Sequence, residues 1–394
     1  MPMHRLAAVA TALTLAAGAT AGCSGGTQPG PGGTRPGTGA QPGNAFAVVV
    51  GAHANSPHPA LVSGAGSLID AAVAGGSRAS IVVSDGQPSL KGPVSLAASG
   101  NNAEARKKST AALSSSFAAK VIAARATAPE NDLLGAISLA ARATSGGTGT
   151  RTLLVIDSGL QTVAPLRFQD PGVLGADPAD VAESLASAHA LPDLKGVTVL
   201  LSGIGDTAAP QEPLSTAQRA NLVAIWTAVL QRAGAEVTVR DEPLSGAAAD
   251  GLPAVTTVTL PVAQTFATIG TSPTTTVDLG QETVAFLPDQ AVYRDPAAVQ
   301  QTLKPLAEKI IAGHLLVSLT GATAGNSDGL ALSRQRAEAV KQTLVGLGVD
   351  PATITCSGLG SKAPGHVPDT DASGHLLPGP AAQNRKVIVE ARRA

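Results

Sequence analysis

Apolar strands alternate with helical stretches over residues 45–243, which predicts an α/β fold with a parallel, doubly wound sheet. A smaller unit of order β-α-β-α-β-β is expected to follow at 276–394. Two observations carry the first expectation. Runs such as F-A-V-V-V-G at Phe46–Gly51 and T-L-L-V-I-D at Thr152–Asp157 are apolar at consecutive positions, as in strands covered on both faces. The segments between such runs are long enough for helices. The smaller unit rests on Leu330, Ala337, Val340, Leu344 and Leu347, which fall on one helical face after the strand His314–Thr320.

Taken in order, residues 1–22 read as a secretory signal, with Arg5 at the charged start and a mostly apolar Leu6–Leu15. The apolar run is too short for a lasting membrane span. Small residues before Cys23 and Ser-Gly-Gly after it resemble a bacterial lipoprotein signal, which implies acylation of Cys23 and a lipid anchor in a membrane. Thr20 stands where that signal usually has Leu. Residues 23–44 are Gly, Pro, Thr and Gln with few apolar side chains, and form a tether. Fully extended, it reaches roughly 60 Å at ~3.1 Å per residue.

In the α/β region the expected elements are strands at Phe46–Gly51, Ala79–Ser84, Thr152–Asp157, Val197–Gly203 and Glu236–Arg240. Helices are expected at Pro59–Ala74, Asn101–Ala126, Asp132–Ala143, Pro178–Ala190 and Thr216–Ala233. Residues 244–275 read as a connector with one strand-like run at Val255–Val262. In the last unit Thr276–Phe286 opens the sheet, and Asp295-Pro296 starts a helix with Val299, Leu303, Leu306 and Ile310 inward. The organising helix stops at Gly348, a glycine where a left-handed cap is expected. Strands at Thr353–Cys356 and Arg385–Glu390 finish the chain, with Val367–Gln383 a long loop.

Composition narrows function. Formal net charge is −1 and charged residues are 14%, so nothing points to nucleic acid. Aromatics are only 2%, which leaves no stacking platform for sugars or bases. The two cysteines, Cys23 and Cys356, do not make a disulfide framework. Cys356, on a strand, reads as a small buried hydrophobe. There is no phosphate loop and no G-x-G-x-x-G opening a helix, so the chain is read as a non-enzyme without cofactor.

The order of α/β elements and V-I-D-S-G at Val155–Gly159 resemble the von Willebrand factor type A family. That resemblance implies a metal site needing D-x-S-x-S after the first strand and a Thr on a second loop. The first loop here is Gly51-Ala52-His53-Ala54-Asn55-Ser56, and the second offers Asn131-Asp132, so no metal site is expected. Ligands of such sheets bind at the carboxyl ends of the strands, where His53, Asn55, Ser56, Asp85, Asp157, Ser158 and Asp206 lie. Asp85 and Asp206 read equally well as turn residues. The region's partner is unknown.

Residues 276–394 resemble the OmpA-like, peptidoglycan-associated domain family. The motifs are L-S-x-x-R-A at Leu332–Ala337, G-V at Gly348–Val349, G-L-G-S-K-A-P at Gly358–Pro364 and N-R-K-V at Asn384–Val387, with V-A-F-L-P-D at Val284–Asp289. The resemblance implies a peptidoglycan partner, gripped through the diaminopimelate of the stem peptide by an Arg and an Asp. Arg336 is the Arg; where the family reads G-H-T-D, this chain reads Gly321-Ala322-Thr323-Ala324. The candidate binding residues are Thr323, Asp328, Arg336 and Arg385, with Asp328 the nearest substitute for the missing carboxylate. The expected whole is a lipid-anchored cell-envelope protein that associates with the wall. The alternative is an adhesion or ligand-binding module acting through the α/β region, metal-dependent if its site is complete.

Overall fold

The computed structural model describes residues 43–394 apart from 63, 147, 262–263, 326–328 and 394. The expected signal, nearly all of the tether, Cys23 and Asp328 lie outside the described residues. The architecture is α/β, with two mixed sheets.

The first sheet has six strands: β1 (Ala45–Val50), β2 (Arg78–Val83), β3 (Ser89–Ser95), β4 (Arg151–Ile156), β5 (Val197–Ser202) and β6 (Glu236–Arg240). Their order is β3-β2-β1-β4-β5-β6. All neighbours are parallel except β3, which runs antiparallel to β2. Side-chain alternation sorts the core into two layers. Ala47 and Val49 pack with α3 (Leu133–Thr144), α4 (Pro178–Ser187) and α5 (Thr216–Arg232). Phe46, Val48 and Val50 pack with α1 (Ala65–Ala74) and α2 (Ala103–Ile122). Strand β1 has β2 on one side and β4 on the other, so the connections after β1 and β4 diverge at the carboxyl ends.

Three features differ from the sequence expectation. Strand β3 has no counterpart there because S-L-K-G-P-V-S lacks apolar alternation; as an edge strand it tolerates Pro93 and stays largely exposed. The first helix begins at Ala65 rather than Pro59, after Gly64 at φ 88. The described part of Val255–Val262 is no strand. There Gln211 takes the place of a neighbouring strand: its Oε1 accepts from Val258 N at 2.7 Å and its Nε2 donates to Val258 O at 3.0 Å.

The second sheet contains β7 (Thr274–Leu279), β8 (Leu315–Ala322), β9 (Ile354–Gly360) and β10 (Val387–Arg393), in the order β7-β10-β8-β9. Helices α6 (Pro296–Ala312) and α7 (Leu330–Gly346) build its core with Val317, Leu319, Val387 and Val389. A short helix, α8 (Pro378–Asn384), lies inside what the sequence reads as loop. It has one turn or two and no apolar period, so only its packing reveals it; Ala382 joins the core of the first sheet. Leu330, expected on the apolar face of α7, is 43% exposed at the helix's first residue. Cys356 is half-buried rather than buried, and its thiol is pushed up to about 11, chiefly by burial. Among the described residues no helix is long and apolar enough to cross a membrane.

Candidate functional site

At the carboxyl end of the first sheet the polar loop residues turn inward on one another. Asp157 Oδ1 accepts from Gly159 N at 2.7 Å and from Asn131 Nδ2 at 3.1 Å. Asn131 Oδ1 accepts from Ser84 Oγ at 2.7 Å. His53 Nδ1 pairs with Asn55 Oδ1 at 2.8 Å, and its Nε2 lies 3.5 Å from Asp157 Oδ2. Glycine at 51 is what lets the carboxylate sit there: a Cβ would come within 2.1 Å of Asp157 Oδ2. His53, Asn131 and Asp157 are all buried.

The remaining candidates hold backbone. Asp85 Oδ2 accepts from Thr127 N at 2.8 Å and Ala128 N at 3.0 Å, and Asp206 Oδ2 from Leu244 N at 2.7 Å. Asp132 caps α3 through Gly135 N at 2.9 Å. Ser56 Oγ donates to Gly51 O at 2.7 Å, and Leu160 N donates to Ser158 Oγ at 3.4 Å. Among the described residues no three or more His, Cys, Asp and Glu side chains converge as metal ligands would. The loop cluster is a buried network that ties the strand ends together.

The second sheet carries an open cleft. Its lining includes Asp289, Thr323, Ala324, Leu332, Arg336 and Arg385, around about 350 Å³ of space continuous with solvent. Close backbone contacts put Arg336 there. Gly321 on β8 and Gly358 on β9 let α7 lie directly on the sheet: a Cβ would meet Ser333 O at 1.8 Å or Arg334 N at 2.4 Å. Gly329, at φ 44, turns the chain into the helix, and a side chain there would strike Thr323 Oγ1 at 2.3 Å.

Arg336 is 5% exposed. Its Nε donates to Gln290 O at 3.0 Å, and its guanidinium carbon stands 5.1 Å over the Phe286 ring. Phe286 in turn stacks on Tyr293 with centroids 4.9 Å apart. Burial above all, then the neighbouring Arg385, pulls the Arg336 pKa down to about 10, while Asp289 and Asp177 oppose the shift. Among the described residues these two carboxylates act on it by field alone, without a hydrogen bond. Thr323 Oγ1 is buried with no hydrogen-bond partner among the described residues, although Thr323 lines the cleft. A ligand carboxylate entering here would meet a desolvated guanidinium and a hydroxyl donor.

Asn384, of the N-R-K-V run, is structural. Its side chain bonds Val367 N at 2.9 Å, Val367 O at 2.8 Å and Asp369 Oδ2 at 2.8 Å. Asp369 Oδ2 also accepts from Gly325 N at 2.8 Å, which fixes the turn beside Thr323.

Arg385 reaches the other way as well. Its Nη1 lies 2.6 Å from Asp180 Oδ2 on α4. Nearby, Arg294 pairs with Asp177 and donates to Asn221 Oδ1 at 3.1 Å. Gln383 Nε2 donates to Pro171 O at 3.1 Å. Thr323, Arg336 and Arg385 of the sequence candidates thus share one cleft. The sequence reading did not single out the contributions of Asp289, Phe286, Asp177 and Asp180. Phe286 and Asp289 belong to a quoted motif; the α4 aspartates gave no signal, because an Asp at and near a helix start reads as a cap.

No protein-family model matches the sequence, and none of the curated proteins matches it. Solved structures do. A MotB-like protein from Desulfovibrio vulgaris is 23% identical over 31% of this chain and 74% of that chain, with a TM-score of 0.25. The OmpA-like domain of FopA1 from Francisella tularensis is 22% identical over 30% of this chain and 73% of that one, at 0.22. The peptidoglycan-associated lipoprotein from Burkholderia pseudomallei is 26% identical over 28% of this chain and 88% of that one, at 0.23. These likenesses span about a third of the chain.

Proposed function

We propose that this is a non-catalytic, lipid-anchored cell-envelope protein whose C-terminal part associates with peptidoglycan. In this reading, residues 1–22 are a signal, 23–44 a tether from acylated Cys23, 45–243 a von Willebrand A-like domain and 244–275 a connector. Residues 276–394 are then an OmpA-like domain facing the wall, and the partner of the α/β domain is a protein still to be identified. The observation that supports it most is a buried arginine, Arg336, in an open cleft beside a hydroxyl, Thr323 Oγ1, that has no hydrogen-bond partner among the described residues. Among the described residues no carboxylate is hydrogen-bonded to this buried guanidinium; burying it so is unfavourable, and an incoming carboxylate would offset that. Diaminopimelate presents carboxylate and ammonium together. With Ala at 324, its ammonium lacks a charge-assisted hydrogen bond worth roughly 1.5–3 kcal/mol.

The test is co-sedimentation of the mature protein with diaminopimelate-type sacculi. Wild type should bind weakly, Arg336→Ala more weakly, and Ala324→Asp more tightly by about ten- to a hundredfold, at 1.4 kcal/mol per decade. Circular dichroism checks each variant for an unchanged fold. Equal retention of wild type and Arg336→Ala would move the contact elsewhere; no retention of any variant would end the reading.

A further inference from the structure

Among the described residues the cleft holds two cations, Arg336 and Arg385, whose mutual repulsion contributes to the depressed basicity of Arg336. Left to themselves they would favour any small anion. Among the described residues two carboxylates stand against them: Asp289 on the rim, and Asp180 at 2.6 Å from Arg385 Nη1. Asp180 comes from the other sheet's helix α4, and its position is fixed. Asp177 caps that helix through Ala179 N at 2.9 Å and pairs with Arg294 from the second sheet's side. The backbones meet closely nearby, where a Cβ on Gly172 would lie 2.3 Å from Gly379 O. The Asp180 and Arg385 side chains are only 22% and 18% exposed, so water screens the pair weakly.

We infer that Asp180 is a specificity-determining residue of the cleft, matching it to ligands that carry an ammonium beside a carboxylate rather than to plain anions. The inference rests on the proposed wall-binding function and adds to it a residue from outside the region expected to bind. With Asp180 and Asp289 present, the charges of these four side chains cancel, and a zwitterion meets both signs. Without Asp180 the cleft gains one net positive charge. A dicarboxylate then gains affinity, while a zwitterion of net zero charge changes little.

The experiment uses the whole mature protein and two probes of the same carbon chain, meso-diaminopimelate and pimelate, titrated against its amide NMR spectrum. Wild type should prefer diaminopimelate. In Asp180→Asn the ratio of affinities should move toward pimelate by about three- to tenfold, the scale of one charge several ångströms away at a protein surface. Asp289→Asn should move it the same way, and Asp180→Glu should restore it. A merely structural role for Asp180 would weaken both probes equally, and that result overturns the inference. An unchanged ratio with both probes bound overturns it too, and leaves wall binding standing. Binding of neither probe by wild type overturns it as well; if sacculi also fail to retain the protein, the wall-binding function falls with it.

Discussion

His53 Nε2 lies 3.5 Å from Asp157 Oδ2, and neither side chain reaches solvent. The pair closes the first-strand loop over the end of β4, with Gly51 giving it room. Asp157→Ala would strand the donors of Asn131 and Gly159 in the interior. The expected loss is about 3 kcal/mol or more of unfolding free energy, since each buried orphan costs roughly 1–3 kcal/mol. Urea unfolding measures it. Mg²⁺ or a chelator should leave the melting temperature of wild type unchanged; a rise that saturates at low metal would mean that other residues complete a cation site.

Gly321 decides whether α7 can lie on the sheet. In Gly321→Ala the new methyl would meet Ser333 O at 1.8 Å, so the helix must lift and carry Arg336 with it. The loss should reach about 3 kcal/mol, in the range of severe packing and backbone substitutions. Gly346, in the last turn of the same helix, has open space around it. Gly346→Ala should be neutral or stabilising by about 0.5–1 kcal/mol through the unfolded chain. Chemical denaturation of both variants separates close approach from glycine content.

Tyr293 gives an alkaline signature. Its hydroxyl lies 3.2 Å from Thr343 Oγ1 and its ring stacks on Phe286. Burial pushes its pKa from 10.0 up to about 12, against the smaller opposing effect of the Thr343 hydrogen bond. Between those values the unfolded phenol ionises while the folded one keeps its proton, so stability falls as pH rises. Tyr293→Phe keeps the stack and removes this fall, worth about 2 kcal/mol across the window at 1.4 kcal/mol per pH unit. Arg336 acts in the opposite sense there, so the variant is compared with wild type at each pH. Parallel curves for the two proteins would refute the assignment.

Cys23 is expected to be the anchor. Each buried methylene of an acyl chain contributes about 0.8 kcal/mol, so two or more chains hold a protein at a membrane firmly. In a host that processes lipoproteins, Cys23→Ala should move the protein from the membrane to the soluble fraction. Mass spectrometry of the wild-type N-terminus should show added lipid. An unmodified N-terminus, with the variant still in the membrane fraction, would reject the anchor.

By itself the sequence determined where most of the regular elements form. Continuous apolar runs need cover on both faces, so β1, β4 and β5 were legible, and the stripe Val299, Leu303, Leu306 and Ile310 marked the inward face of α6. The L-S-x-x-R-A run likewise singled out Arg336, and N-R-K-V singled out Arg385, as site candidates. Edge strand β3 and short helix α8 were not legible, because both are held by neighbours rather than by an apolar period of their own. What only the tertiary structure decided is which charges meet. Asp180 and Arg385 are far apart in the chain, and nothing local in either marks the other. Their contact exists because α8 packs on the first sheet's core and Arg294 holds the start of α4. The loop residues His53 and Asp157 were visible as polar groups at strand ends; that they face each other in the interior follows from the parallel register of β1 and β4. Local chemistry names the groups, and burial in a shared low-dielectric space decides what they do to one another.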